Sequence, residues 1–306
     1  MADRPVLRPR LVSTVLAGVV LSVGLLGSAA SSDAQGLPRP SRLVPEIDLK
    51  CHEAISIDGI AGLDVDLKLH HLNPILQRLG LPPEDVIVRG LEQLCVPVIK
   101  DGRSPPPAVR LFVQEIDLAC YKIEVLSPPV TAQLRLSHLN PVIIGHGAPD
   151  EIVQLSTPRQ LCLPVAKNGR FPNDQILRFI EFLDLKCYDI IQLNDPPTPL
   201  ISLRLTHINP QFAGVLPDEG VTLGEPEQLC VPVQKNDRRP PDDVLQVLQW
   251  IDLKKYRIAP DSDIPLPTLT IEHLNPLLRG RRHFIGMGPL QHLAVPVAKN
   301  GQRPTP

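Results

Sequence analysis

QLCVPVIKDG, residues 93–102, returns three more times along this chain of 306 residues. The other copies are QLCLPVAKNG at 160–169, QLCVPVQKND at 228–237 and HLAVPVAKNG at 292–301. Each copy joins an apolar run to a turn-forming pair after the lysine, which predicts a β-strand that ends in a tight turn. The spacing of about 68 residues overrides the domain count suggested by length and predicts a fourfold internal repeat.

A second motif precedes each copy and carries the other cysteine of the unit. It reads DLKC at 48–51, DLAC at 117–120, DLKC at 184–187 and DLKK at 252–255. The last unit therefore has Lys255 and Ala294 where the other units have cysteines. Because both cysteines are lost together, we expect the two cysteines of a unit to bond to each other. The predicted disulfides are Cys51–Cys95, Cys120–Cys162 and Cys187–Cys230.

Pairing between units is the alternative. The second cysteine of one unit and the first of the next are always 25 positions apart, as from Cys95 to Cys120. Pairing across that gap would leave Cys51 and Cys230 without partners, which favours pairing within a unit. Six cysteines without a CxxC motif are typical of a disulfide framework in an oxidising compartment.

The N-terminal residues predict export. Arg4, Arg8 and Arg10 precede an apolar stretch at 11–26, and small residues follow it. This order is typical of a secretory signal peptide, predicted over 1–34. An uncleaved membrane anchor is the alternative, because the apolar stretch extended to Ala30 is about long enough to span a bilayer. After cleavage we expect no membrane span and an extracellular or periplasmic location.

The segments between the two motifs predict an all-β fold. In residues 63–70 apolar and polar side chains alternate, which indicates a strand with one buried face. Two structures are predicted as alternatives for the run at 240–252: one or two helical turns capped by Asp242, or further strand. We therefore predict four tandem antiparallel β modules, each stapled by a disulfide except the last. The predicted divisions are a linker at 35–45 and modules at 46–113, 114–180, 181–248 and 249–306.

These motifs resemble a family of exported microbial domains of unknown function, in which an LxCYxx strand precedes an LCxPxxKNG strand. The similarity covers residues 46–306, four times over. The family has a shorter stretch before the CysTyr strand and lacks the HisLeuAsnPro motif found here. The resemblance implies export from a bacterial cell, β structure and tandem modules. It supplies no catalytic residues.

Four repeated histidines are the first candidate site residues: His71, His138, His207 and His273. Strand parity points each ring toward the core, so we expect a structural role. The predicted partners are the backbone or the repeated aspartates Asp48, Asp117, Asp184 and Asp252. A metal-ligand role is the alternative, although one histidine per unit is too few for a metal site.

Charged residues after the HisLeuAsnPro motif give the other candidates. The acidic pairs are predicted to be solvated loops, with weak calcium binding or a protein contact as alternatives; they are Glu84 with Asp85, Asp150 with Glu151, and Asp218 with Glu219. The fourth unit instead carries a basic cluster of Arg279, Arg281, Arg282 and His283. We expect this cluster to be a solvated loop. The alternative is contact with an anionic envelope polymer, or of Arg281 and Arg282 with an acidic loop such as Asp218 with Glu219, in the same chain or in a second copy.

Composition and motifs narrow the function class. A net charge of −2 and an aromatic content of 3% argue against nucleic-acid partners. The sequence contains no recognised catalytic motif, so no catalytic residue and no cofactor are predicted. We predict an exported non-enzymatic repeat protein with a structural or adhesive role at the cell surface. The alternatives are a secreted hydrolase or enzyme accessory with an unrecognised site, and an array of calcium- or carbohydrate-binding modules.

Overall fold

A computed structural model of the chain describes Met1 and residues 36–59, 62–128, 130–194, 200–260 and 267–306. Within them Leu37–Pro306 form one compact unit. Strands make up 51% and helices 15% of the structure, so the all-β prediction is confirmed. Apart from Met1, the predicted signal peptide lies outside the described residues. None of the described helices is long and apolar enough to span a membrane.

Each unit contributes one helix before its first strand, a first strand of 8 residues, a second strand of 6 residues (10 in the first unit), hereafter the short strand, and one long strand of 17 or 18 residues. In the first two units a further helix precedes the long strand. The strands are β1 Leu49–Ser56, β2 Gly62–His71, β3 Glu84–Lys100, β4 Leu118–Val125, β5 Gln133–His138, β6 Glu151–Lys167, β7 Leu185–Gln192, β8 Ser202–His207, β9 Glu219–Lys235, β10 Leu253–Pro260, β11 Thr268–His273 and β12 Arg282–Lys299. The α-helices are α1 Pro40–Leu43, α2 Pro74–Arg78, α3 Pro107–Val113, α4 Pro141–Gly145, α5 Asp174–Ile180 and α6 Asp242–Leu248, and a 3-10 helix spans Val44–Glu46.

The centre of the molecule is a closed antiparallel barrel. Its eight strands follow one another in the order β1, β3, β4, β6, β7, β9, β10 and β12, and β12 pairs with β1 again. Each unit supplies two neighbouring strands, so units one and three face each other across the barrel, as do units two and four. Closure leaves this ring without an edge strand.

The short strands link opposite units. Each long strand pairs with the short strand of its own unit near its start, as β3 does with β2. Its last three residues then pair with the short strand of the opposite unit, as Lys235 of β9 does with Leu69 of β2. The same exchange joins β5 to β12, β8 to β3 and β11 to β6. The four units are therefore interlocked quarters of one barrel, where the sequence predicted modules in tandem.

Turn chemistry explains where the strands end. Asn73 accepts hydrogen bonds from the N–H groups of Ile75 and Leu76, and with Pro74 at the first position it starts α2 directly after β2. The LysAsnGly turn after β6 has positive φ at Asn168 (48°) and Gly169 (72°). Two consecutive positive φ angles match the twist of antiparallel strands, which is why asparagine and glycine occur there.

Apolar helices close one end of the barrel. Leu43, Val113, Ile180 and Leu248, one from each of α1, α3, α5 and α6, belong to one buried cluster with the cysteines. The predicted extended linker at 35–45 is wrong, because Pro40–Glu46 are helical and bury Leu43 and Val44 in this cluster.

The run at 240–252 contains α6, as one of the two alternatives predicted. However, Pro241 rather than Asp242 is its N-cap residue, and no side chain caps the helix. The two ends of the compact unit also meet at the closed end of the barrel. The N–H of Ser41 donates to the carbonyl of Thr305 over 3.1 Å. The first three copies of QLCVPVIKDG are each followed by a helix, α3, α5 or α6. The fourth copy has no helix after it in the described residues, and α1 from the start of the compact unit takes that place.

Candidate functional site

The inside of the barrel carries the cysteines. The disulfides are Cys51–Cys95, Cys120–Cys162 and Cys187–Cys230, which is the pairing within a unit. Neighbouring disulfides touch, since 3.7 Å separates Sγ of Cys95 from Sγ of Cys120 and Sγ of Cys162 from Sγ of Cys187. A belt of six sulfur atoms therefore runs around three quarters of the barrel.

Lys255 completes this belt in the fourth unit. Its backbone pairs with Ala294, the position equivalent to a cysteine pair in the other units. The Nζ atom donates to Oε1 of Gln93 over 2.9 Å and of Gln160 over 2.8 Å, and it lies 3.9 Å from Sγ of Cys120. The side chain is 1% exposed, and burial lowers the pKa of Lys255 to about 7. Hydrogen bonds across the barrel thus replace the missing disulfide.

The open end of the barrel is a polar pocket, hereafter the mouth, with a volume of about 720 Å³. Its floor is a ring of four equivalent residues, one from each unit: Gln93, Gln160, Gln228 and His292. Each stands two positions before a cysteine or Ala294, so strand periodicity directs it into the same barrel interior. In the sequence these four residues are the first residue of each QLC or HLA motif. Only the closed barrel shows that their side chains meet.

Carboxylates dominate the wall of the mouth. Glu53, Glu92, Asp189 and Glu227 line it, against one guanidinium group, that of Arg159. Glu227 is bound by the side chains of Arg257 and His292, the latter over 2.6 Å. Burial favours the neutral acid, but these two hydrogen bonds hold the pKa of Glu227 below its usual value. The mouth is therefore a preformed site with negative charge on its wall.

Hydrogen bonds fix the orientation of the floor amides. Gln93 donates from Nε2 to Oε1 of Gln291 (2.5 Å) and to Nδ1 of His292 (2.8 Å). Gln160 donates from Nε2 to Oε2 of Glu92 over 2.6 Å. With their N–H groups engaged on the wall, both amides turn their carbonyl oxygens toward the Lys255 amine below.

Gln228 differs from these two amides. Its Nε2 donates to Oδ1 of Asp189 over 3.2 Å, but its Oε1 is buried and has no hydrogen-bond partner within the described part of the chain. A carboxylate only accepts, so Asp189 requires the NH₂ of the amide to face it, and the group left without a partner is the carbonyl oxygen. Gln228 is only 7% exposed, and buried acceptors are rarely left unpaired.

The four repeated histidines are buried between the barrel and the outer strands. His71, His138 and His273 bind the hydroxyls of Tyr188, Tyr256 and Tyr121 of the opposite unit, over 3.0, 2.8 and 2.9 Å. Burial lowers the pKa of His71 and of His273 to about 3, so these rings are neutral at physiological pH.

The imidazole ring of His207 makes no hydrogen bond within the described residues and packs against Phe212. The residue at the tyrosine position of the opposite unit is here His52. The expected bond between a repeated histidine and a repeated aspartate is wrong, because the aspartates have other partners.

Each repeated aspartate instead joins two units at the closed end. Asp184, for example, binds Nζ of Lys235 in its own unit over 2.5 Å, and it accepts from Nδ2 of Asn275 in the next unit over 3.2 Å. The pattern goes once around the barrel, because Asn73 of the first unit donates to Asp252 of the fourth over 2.8 Å. The remaining ion pairs are Asp48–Lys100, Asp117–Lys167 and Asp252–Lys299.

The acidic pairs are not simply solvated loops. Asp85, Asp150 and Asp218 are partly or fully exposed, but their neighbours Glu84, Glu151 and Glu219 begin long strands and are buried. These glutamates form buried ion pairs with lysines of the opposite unit: Lys186, Lys254 and Lys50 respectively. The second unit has Ala119 in place of this lysine, and the opposite fourth unit has His283 in place of the glutamate. The charge is thus lost on both sides together, a signal that was present in the sequence.

The basic cluster of the fourth unit is engaged within the chain. Arg279 approaches Glu181 at 3.5 Å, Arg281 donates to the carbonyl of Leu63 over 2.8 Å, and Arg282 binds Glu272 at 2.6 Å. His283 is buried, with its ring centroid 6.1 Å from that of Tyr121.

The predicted contact of Arg281 and Arg282 with Asp218 and Glu219 inside the chain is therefore wrong. Asp218 binds Arg204 over 2.9 Å, and Glu219 binds Lys50. Within the described residues, no group of three or more His, Cys, Asp or Glu side chains has metal-binding geometry.

Comparison with known proteins gives no further guide to this site, since no family model, no curated protein and no solved structure matches the chain. The resemblance to exported domains of unknown function stays a prediction.

Proposed function

We propose that this chain is an exported, non-enzymatic binding protein that takes a small polar ligand into the mouth of its barrel. One observation carries the proposal. The barrel is sealed by apolar helices at one end and opens at the other on a polar pocket of about 720 Å³. That volume lies within the range of about 300–1,000 Å³ typical of sites for small molecules.

The rigidity of the mouth supports a binding role. Its floor residues stand on strands of a closed barrel, and the disulfide belt lies directly beneath them. Side chains on strands are held more precisely than side chains on loops, which lowers the ordering cost of binding. The floor amides are already oriented by Glu92, Asp189 and His292.

Export belongs to the same proposal. The basic and then apolar N-terminal sequence favours secretion with removal of residues 1–34, and the three disulfides are compatible with an oxidising extracellular or periplasmic compartment. An envelope polymer or a second copy is the alternative partner. The arginine cluster gives that partner little support, because its guanidinium groups are bound within the chain.

A thermal-shift panel on the purified, oxidised protein tests the binding role. The panel holds neutral sugars, amino acids, amines, nucleotides and organic acids. Two variants fill the mouth: Glu53→Trp on the wall and Gln228→Trp on the floor. The matched control is Asp66→Trp, at an exposed position of β2 outside the mouth. We expect at least one class to raise the Tm of the wild type and the control but not of the mouth variants. If no class raises the Tm, or if both mouth variants respond like the wild type, the proposal is wrong.

A further inference from the structure

The mouth also indicates what kind of ligand it takes. We propose that it binds a small organic cation with at least one primary ammonium group, of the diamine or polyamine class. This inference rests on the proposed function and makes it more specific. It is carried by three independent features: an unpaired buried acceptor on the floor, a bound ammonium at the equivalent floor positions, and the charge of the wall.

The unpaired acceptor is Oε1 of Gln228. Gln228 lines the mouth, and this oxygen is buried and has no partner within the described residues. Because Asp189 occupies the Nε2 side of the same amide, the free group is an acceptor that requires a donor. A ligand with N–H or O–H groups satisfies it, and a ligand that only accepts hydrogen bonds does not. A buried acceptor without a partner is costly, so supplying the donor favours binding.

The protein itself shows which donor this ring of amides holds. Gln93 and Gln160 are the equivalents of Gln228 in the first two units, and their Oε1 atoms both bind the amine of Lys255. Lys255 is the cross-strand neighbour of Gln228, but its amine binds Gln93 and Gln160 and leaves Oε1 of Gln228 without a partner among the described residues. An ammonium from the ligand beside Gln228 and Asp189 would repeat the arrangement around Lys255, with a carboxylate added.

The charge of the wall selects a cation over a neutral donor. The Glu53 carboxylate makes no hydrogen bond or ion pair to another described residue, and that of Asp189 accepts from the amide of Gln228. Four carboxylates line the mouth against one guanidinium group, that of Arg159, and the exposed Lys122 stands at the equivalent position of the second unit. Arg257 is held by Glu227, and burial and the nearby Lys255 lower the pKa of His292, which leaves that ring neutral. Lys255 adds at most part of a positive charge near neutral pH, because burial lowers its pKa to about 7.

The positions of the carboxylates favour a ligand with more than one amine. Glu53 and Asp189 belong to opposite units, so they stand on opposite sides of the mouth. A flexible diamine or polyamine can place one ammonium near each carboxylate. The residues that line the mouth include no Phe, Tyr or Trp, so it lacks the aromatic faces that hold quaternary ammonium groups.

Titration calorimetry with spermidine and putrescine tests the inference directly. Tetramethylammonium is the ligand control, because it carries the charge without an N–H donor. We expect both amines to bind the wild type and tetramethylammonium to bind at least about tenfold more weakly. Gln228→Met keeps the shape of the side chain and removes the acceptor, and we expect it to raise the Kd of spermidine about tenfold. Glu53→Gln removes a wall carboxylate and should raise it about threefold or more, whereas Asp66→Asn, outside the mouth, should leave it unchanged.

Three other outcomes would contradict the amine inference. If spermidine does not bind, or binds Gln228→Met and Glu53→Gln as tightly as the wild type, the amine inference is wrong. If the wild type instead binds a sugar or an acid and Glu53→Trp abolishes that binding, the amine inference fails while the proposed function stands. If neither amines nor any other class in the panel binds in the mouth, both fail.

Discussion

The two ends of the barrel differ in how closely the four units repeat each other. At the closed end every unit supplies the same aspartate, lysine and asparagine, as in Asp184, Lys235 and Asn275. At the open end equivalent positions hold different side chains, as in Glu53, Lys122, Asp189 and Arg257. Equal units build a symmetric seal from one set of residues, whereas a ligand without fourfold symmetry needs a different side chain from each unit. Divergence between repeats therefore marks the binding end of the molecule.

The largest expected effect comes from the closed end. Asp252→Ala would leave Lys299 buried without its counter-charge and would remove one of the two acceptors of the Asn73 side-chain amide. We expect the free energy of unfolding, measured by urea denaturation, to fall by about 3–5 kcal/mol. The matched control at the mouth, Asp189→Ala, should cost less than about 1 kcal/mol. Equal losses in the two variants would remove the distinction between a structural end and a binding end.

A fourth disulfide would make the last unit like the others. Lys255 and Ala294 pair across two strands as the cysteines do, so Lys255→Cys with Ala294→Cys should form a bond. We expect a stability gain of about 2–4 kcal/mol by guanidinium denaturation, reduced by the loss of the hydrogen bonds to Gln93 and Gln160. Mass spectrometry checks that the bond forms, and Lys255→Ser serves as the control without a crosslink. A double variant with two free thiols would show that the strands at this position are not in register.

The pH dependence of stability tests the burial of the amine below the mouth. The pKa of Lys255 falls from 10.5 in the unfolded chain to about 7, so between these values the unfolded state binds more protons and stability rises with pH. From pH 7 to pH 9 we expect the wild type to gain about 2–3 kcal/mol relative to Lys255→Met. Lys122→Met removes an exposed lysine and should show no such difference. Parallel curves for Lys255→Met and the wild type would mean that the amine is solvated.

The smallest expected effect concerns the one missing buried ion pair. Ala119→Lys and His283→Glu, each alone, introduce a buried charge, and together they restore the pair found between the other opposite units. We expect each single variant to lose stability and the double variant to lose less than their sum, with a coupling of about 1–2 kcal/mol. A double-mutant cycle measures it. Additive losses would show that units two and four do not meet here as units one and three do.

Local patterns predicted the parts of this fold that depend on neighbours in sequence. The alternation in 63–70 located β2, the joint replacement at Lys255 and Ala294 indicated how the cysteines pair, and LysAsnGly located the turns. Contacts between opposite units could not be predicted in this way, because they join residues more than a hundred positions apart and such contacts leave no periodic pattern in the sequence. The partner of His71 is Tyr188, 117 positions away.

The mouth was missed for the same reason. Gln93 and Gln228 are ordinary polar residues along the sequence, and only closure of the barrel brings them to one floor. The prediction of solvated loops was wrong for the glutamates because it treated neighbours such as Glu84 and Asp85 as one group. Strand alternation places their side chains on opposite faces of the sheet. One faces a buried lysine and the other faces solvent.

The central claim is that the open end of the barrel is the binding site, and chemical-shift mapping of the backbone amides during a spermidine titration tests it most directly. The account predicts saturable shifts at Glu53, Glu92, Asp189 and Gln228, with little change at the closed end around Asp252 and Lys299. Gln228→Met should weaken these shifts at the same spermidine concentration. Shifts that follow exposed carboxylates over the whole surface, or that centre on the closed end, would contradict it.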